Sequence, residues 1–142
     1  MITMLIDTPH IKNIIPQREP FIMIDQLIAA DENGFLTHFE IKESNVFFEN
    51  GGVSSSAVIE NIAQTCAAGF GYLGTLSGQQ EARIGFIGAI SKLQVTGKAK
   101  LNDILATKVV ILNSFENIHL VEGTAAVNGS PIVSCQLKIV QV

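Results

Sequence analysis

Apolar positions along the chain fall into long runs separated by short polar breaks, and each run has its own period. Thr8-Pro9 opens a short helix, with Thr8 as cap and Pro9 at the first helical position; Ile11, Ile14 and Ile15 give it one apolar face and Pro16 ends it. Residues 21–28 form an apolar run that predicts a strand. Asp31-Glu32-Asn33-Gly34 predicts a turn, with Asn33-Gly34 as the hairpin signal, and residues 35–41 alternate as the returning strand. Residues 45–50 predict a short extended piece, which Gly51-Gly52 breaks. Residues 54–73 then predict one long helix with serines at its N-cap. It is apolar on nearly every face and is therefore expected in the core. Ile62, Ala63, Cys66 and Ala67 are expected to pack on a sheet, and the small residues Ala63, Ala67, Ala68, Gly69 and Gly71 let that sheet come close. After a polar loop at 74–81, residues 82–95, 103–113, 117–127 and 131–142 predict strands. Asn128-Gly129 is the tight turn between the last two, which reads better than the glycosylation sequon it also matches. Two strands, a buried helix and a run of antiparallel strands make an α+β layer arrangement in one domain, residues 1–142.

Composition narrows the function classes. Hydrophobic residues make up 47% and charged residues 15%, which excludes a disordered chain and leaves so little charge that a second subunit is expected to cover part of the surface. The net charge of -4 comes without a basic run, against sequence-independent nucleic-acid binding. Lys92, Lys98 and Lys100 are read either as solvated lysines or as a local patch for an acidic partner. Cys66 and Cys135 lie in apolar stretches without metal-ligand spacing, so they are expected as buried free thiols in a reducing cytoplasm. The first residues lack a signal-peptide pattern, and no stretch reaches the length of a membrane span. Phosphate loop, dinucleotide fingerprint, metal cluster and Ser-His-Asp motif are all missing; no cofactor and no metal are expected.

Three polar features interrupt the apolar pattern. Glu60 sits on the otherwise apolar helix with Gln64 one turn on, sharing its face; it is either a working carboxylate or a first-turn residue favoured by the helix dipole. Asn50-Gly51-Gly52-Val53 precedes the helix, where free amides of Gly52 or Val53 are candidates to bind a thioester oxyanion, with Glu60 facing the reacting carbons about two turns away. Pro16-Gln17-Arg18-Glu19-Pro20-Phe21 is an extended loop, which an Arg18 ion pair with Glu19 and Asp25 would fix. Phe21 is expected to line the path of an acyl tail. His10, His38 and His119 read as surface or edge residues.

These residues resemble a known family. Residues 11–25, with Pro16-Gln17-Arg18-Glu19-Pro20-Phe21 and then Asp25, are similar to the opening of bacterial 3-hydroxyacyl-acyl-carrier-protein dehydratases of the hotdog fold. Val58-Ile59-Glu60-Asn61-Ile62-Ala63-Gln64 resembles their central helix. Asn50-Gly51-Gly52-Val53 and Arg83-Ile84-Gly85-Phe86-Ile87-Gly88 look most like the branch found in aryl-polyene and related pigment clusters. The resemblance implies a hotdog fold, a homodimer or an oligomer of dimers with acyl chains bound between subunits, and an acyl carrier protein or coenzyme A thioester as partner. It also implies that Glu60 is the catalytic acid. The family's histidine segment corresponds to Phe47-Phe48-Glu49-Asn50-Gly51-Gly52, which holds no histidine, and Gln17 stands at the histidine of the opening motif. Gln17, Asn50 and Gln64 do not titrate, so their expected roles are to position substrate or water. Two other classes stay open: a hotdog thioesterase using Glu60 and Gly52, and a non-catalytic acyl-binding partner subunit.

Overall fold

The computed structural model describes residues 4–78 and 85–142. After a short 3-10 helix, Thr8–Asn13, the chain forms β1 (Gln26–Asp31), β2 (Gly34–Glu40), β3 (Phe48–Glu49) and β4 (Gly52–Val53). The long helix α1 (Ser55–Leu76) follows, then β5 (Gly85–Val95), β6 (Ala99–Lys100), β7 (Ile104–Phe115), β8 (Ile118–Val127) and β9 (Ser130–Gln141). A six-stranded antiparallel sheet in the order β1-β2-β7-β8-β9-β5 curves around α1, and β3-β4-β6 make a small second sheet beside the helix N-terminus. This is the expected helix wrapped by an antiparallel sheet.

Ser54 caps α1, its side chain accepting from the Ala57 amide. Ile62 and Cys66 are buried against the sheet as expected. Ala63 and Ala67 are only half-buried, because that face of the helix fronts a cleft. The helix is also less uniformly apolar inside than its pattern suggests: Asn61, Gln64 and Thr65 are fully buried. Each is satisfied. The Asn61 amide donates to the Met23 carbonyl at 2.7 Å, the Thr107 hydroxyl donates to Asn61 Oδ1 at 2.6 Å, and the Thr65 and Thr37 hydroxyls pair at 2.7 Å. A fully paired buried network fixes one arrangement of helix and sheet, whereas a half-paired one destabilises it.

That network corrects the first strand. Residues 21–25 are apolar enough for a strand, but Phe21 and Met23 bond to helix side chains: the Met23 amide donates to Gln64 Oε1 and the Phe21 carbonyl accepts from Gln64 Nε2, while the Asp25 amide already donates to the His38 carbonyl of β2. The strand itself begins at Gln26. The first hairpin turns at Asp31-Glu32-Asn33-Gly34 as expected, but Asn33-Gly34 is not its central pair. Its turn residues are Glu32 and Asn33, held by the Asp31 carboxylate, which accepts from the Asn33 and Gly34 amides. Gly34 is required for another reason: a Cβ there would fall on the Val109 carbonyl of β7. At the N-terminus the cap is Asp7, whose side chain pairs with His10 and makes no capping bond, and Thr8 lies inside the 3-10 turn. The Asn128-Gly129 turn is as expected, with φ of 51° and 81°. Residues 82–84 of the expected fifth strand lie outside the described residues.

Both cysteines are buried free thiols. Desolvation, with the Cys135 sulfur as a lesser cause, pushes the Cys66 thiol up to about 12, and burial raises Cys135 too. The thiolate is the reactive form. Neither cysteine of the native protein is expected to react with a thiol reagent at mildly alkaline pH, and both should react after denaturation. Rapid labelling of the native fold would contradict this packing.

Candidate active site

Glu60 lies half-buried in the second turn of α1, one helical turn before Gln64. Gln64 Nε2 donates to Glu60 Oε1 at 3.0 Å and to the Phe21 carbonyl at 2.8 Å, while Gln64 Oε1 accepts from the Met23 amide. Both amide hydrogens and the oxygen of Gln64 are thus engaged within the protein. One of its amide hydrogens lies on the Glu60 carboxylate.

Glu60 opens onto a cleft of about 250 Å³. One wall is the helix face of Ala63, Ala67 and Phe70; the other is Gly85–Ile87 of β5 with Ile139 and Gln141 of β9. Gln17, from the loop before β1, completes the near end. Glu60 is the one titratable side chain among the described residues lining this cleft. Phe70 is braced from both sides, edge-on to Phe35 at 5.0 Å and stacked on His119 at 4.2 Å. His119 is in turn fixed by Ser114 on Nδ1 and by Gln141 on Nε2. His119 is therefore a wall-backing residue, not the edge residue its strand position suggests. These far-wall residues escape sequence reading because sheet pairing, and not closeness along the chain, brings β5, β8 and β9 beside the helix.

Several expected site residues lie elsewhere. Asn50, Gly52 and Val53 line a second cleft of about 550 Å³, with Ser54, Lys98 and Lys100. Asn50, at φ 51°, and Gly51, at φ 83°, form the turn between β3 and β4. Gly52 and Val53 are the whole of β4, paired with β3 on one side and β6 on the other, so their amides face strand partners. Gly52 is glycine because a Cβ would strike the Ala99 carbonyl. Within one subunit the oxyanion role expected of Gly52 or Val53 beside Glu60 is thus not formed. Phe21 is 54% exposed and packs on Phe47, so the apolar wall of the cleft is β5 and β9 in its place. Arg18 donates to the Ile15 and Gln17 carbonyls, and the ion pair of this loop is Lys12–Glu19 at 2.9 Å, which holds the Glu19 carboxyl below its ordinary range. Lys98 and Lys100 share the second cleft while Lys92 lies on another face, so the three do not form one patch.

Residues 9–142 match the family described as ApeP-like, ApeP dehydratase. The chain belongs to the ApeP-like dehydratase family. It is also similar to the 3-hydroxyacyl-[acyl-carrier-protein] dehydratases FabZ of Bacillus subtilis, at 25% identity over 95% of this chain and 96% of the relative, and of Oceanobacillus iheyensis, at 26% over the same shares. Among solved structures, the dehydratase heterocomplex ApeI:P from Xenorhabdus doucetiae superposes with a TM-score of 0.87 at 16% identity, covering 93% of this chain and 90% of that one. A hypothetical thioesterase with coenzyme A from Streptococcus pneumoniae gives 0.65 at 11% identity, over 82% and 84%. These structures share the hotdog fold with the ApeP-like chain. Among the described residues no helix is long and apolar enough to cross a membrane.

Proposed function

We propose that this chain removes water from a 3-hydroxyacyl thioester carried by an acyl carrier protein, with Glu60 as the proton-transfer group. The observation that carries the reading is the Glu60 carboxylate, held by Gln64 on the wall of a cleft in which it is the one titratable side chain among the described residues. Dehydration breaks the C2–H and C3–O bonds. Glu60 takes the proton from C2, the electron pair forms the C2–C3 double bond, and hydroxide leaves C3. The protonated Glu60 returns its proton to that hydroxide, so water departs and the carboxylate is restored. Ala63, Ala67, Phe70 and Ile139 receive the acyl tail along the helix.

A second hotdog subunit completes the site. The cleft beside Glu60 is smaller than the roughly 300–1,000 Å³ of ordinary ligand sites. Among the described residues β5 is a free edge of eleven residues on which Phe86, Ile90, Leu93 and Val95 stand 58%, 45%, 48% and 51% exposed. The opposite edge, β1, is partly covered by Leu5 and Ile6. An uncovered apolar edge strand favours pairing. Antiparallel pairing of two β5 strands about their middle sets Val95 of one subunit against Gly85 of the other. Val95 lines the second cleft and Gly85 the first, so the two clefts become continuous. The Asn50–Ser54 segment of one subunit then faces Glu60 of its partner, which restores across the interface the proximity that one subunit lacks. In the simplest assembly the second subunit is another copy of this chain. Light scattering is expected to give about twice the 15.3 kDa subunit mass. A monomer would mean that a related hotdog subunit, as in the ApeI:P heterocomplex, must supply the other half. The activity is tested by mass spectrometry of 3-hydroxyacyl and saturated acyl carrier-protein thioesters incubated with the protein. The expected result is loss of water from the first and no change in the second. Release of free acid would favour a thioesterase, and no change in either an acyl-binding subunit.

A further inference from the structure

Gln17 is the other polar side chain at the near end of the Glu60 cleft, and its carboxamide oxygen is unusual. Gln17 Oε1 is closed off from solvent and has no hydrogen-bond partner among the described residues. Buried acceptors are nearly always paired, and leaving one unpaired costs free energy that a donor arriving with a ligand recovers. The loop carrying Gln17 is firmly held: Arg18 donates to the carbonyls of Ile15 and Gln17 itself, and Lys12 pairs with Glu19. The Gln17 backbone is therefore fixed, while the terminal torsion of a glutamine side chain is soft enough to turn its oxygen onto a ligand. We propose that the Gln17 carboxamide reads the C3 hydroxyl of the acyl chain, accepting its hydrogen, and so selects 3-hydroxyacyl thioesters over their saturated counterparts. A 3-hydroxyl has a hydrogen to donate; the methylene of a saturated chain has none. Sites that hydrogen-bond a substrate hydroxyl discriminate strongly against analogues that lack it. Because an amide does not titrate, the preference is constant across neutral pH. Gln17 is then a specificity-determining residue beside Glu60, contributing recognition and no proton.

The inference rests on the dehydratase reading for the identity of the substrate, but it is measured by binding alone. Pantetheine analogues in which an amide replaces the thioester, bearing 3-hydroxyacyl or saturated chains of one length, are titrated calorimetrically into the wild-type protein and Gln17→Met. The wild type is expected to bind the 3-hydroxy analogue about tenfold or more tightly than the saturated one. Gln17→Met is expected to bring the two affinities together by weakening the 3-hydroxy analogue alone, which a merely structural role would not do. Should Gln17→Met fail to fold, Gln17→Asn withdraws the same oxygen by one methylene and is expected to reduce the preference. Equal wild-type affinities, or a preference that survives loss of the Gln17 oxygen, would overturn the inference. A Gln17-dependent preference in a protein without turnover would uphold it and overturn the dehydratase reading instead.

Discussion

Glu60→Gln is expected to cut turnover of a 3-hydroxyacyl carrier-protein thioester by about a thousandfold or more while leaving ligand affinity within a few-fold. The substitution keeps size and an acceptor oxygen at the position where Gln64 Nε2 donates, so the helix face and the clamp on residues 21–23 persist. What disappears is titration. General acid–base catalysis contributes typically about 10²–10⁴ in rate. In this site one carboxyl acts first as base and then as acid, which places the loss in the upper part of that range, equivalent to about 4–5 kcal/mol of transition-state stabilisation. The loss should fall on kcat with little change in KM, as for an interaction made only in the transition state. Single-turnover assays and analogue binding separate the two quantities. Undiminished turnover would remove Glu60 from the mechanism.

Gly71→Ala is expected to destabilise the fold by about 2 kcal/mol even though alanine is the better helix former by about 1 kcal/mol. A Cβ at Gly71 would land on the carbonyl oxygen of Ile14, within van der Waals contact. Ile14 belongs to a buried cluster with Ile11, Ile15, Ile24, Leu27 and Ala68. The obstruction is backbone, so no rotamer change relieves it; the 3-10 segment has to move. Overpacking of this kind costs typically about 1–3 kcal/mol, occasionally more, and here it outweighs the gain in helix propensity. The melting temperature should fall by about 5 °C or more. Circular dichroism melts provide the check, and an unchanged or higher melting temperature would mean that the 3-10 segment is not seated on the helix.

The glycine-rich end of the helix shows how far the sequence could be read. Small residues there predict a close approach, and close approach is found, but the partners at Gly69 and Gly71 are the Phe35 ring and the Ile14 backbone. Periodicity identifies a face that must be crowded and does not name what crowds it. The long helix, the late strands and the Asn128-Gly129 turn were legible because each is set by local chemistry. Residues 21–25 were not, since Phe21 and Met23 spend backbone groups on side chains some forty residues away on α1. The site divides in the same way. Glu60 stands out as a carboxylate on an apolar helix, whereas Gln64 at position i+4 shows its partnership only once the Phe21–Met23 segment is seen to take up the rest of its amide. The eight-residue spacing from Gly52 to Glu60 misled, because it treats the intervening chain as helix. Gly52 lies in a strand paired on both edges, and α1 begins at Ser55. Ile139, Gln141 and His119 come from the far end of the sheet, which residue spacing along the chain cannot bring to the helix.

Proton transfer between Glu60 and C2 of the acyl chain is the step on which the proposed mechanism turns. By microscopic reversibility the same carboxyl must deliver hydrogen to C2 when a trans-2-enoyl carrier-protein thioester is hydrated. The decisive measurement incubates that thioester with the wild-type protein in heavy water, returns the product to ordinary water and determines its mass. The expected product has gained one water in which the hydrogen placed on C2 is a non-exchangeable deuterium, and Glu60→Gln gives no such product within the same time. Hydration by the Glu60→Gln protein at the wild-type rate, or deuterium entering C2 equally with and without the carboxylate, would contradict the mechanism.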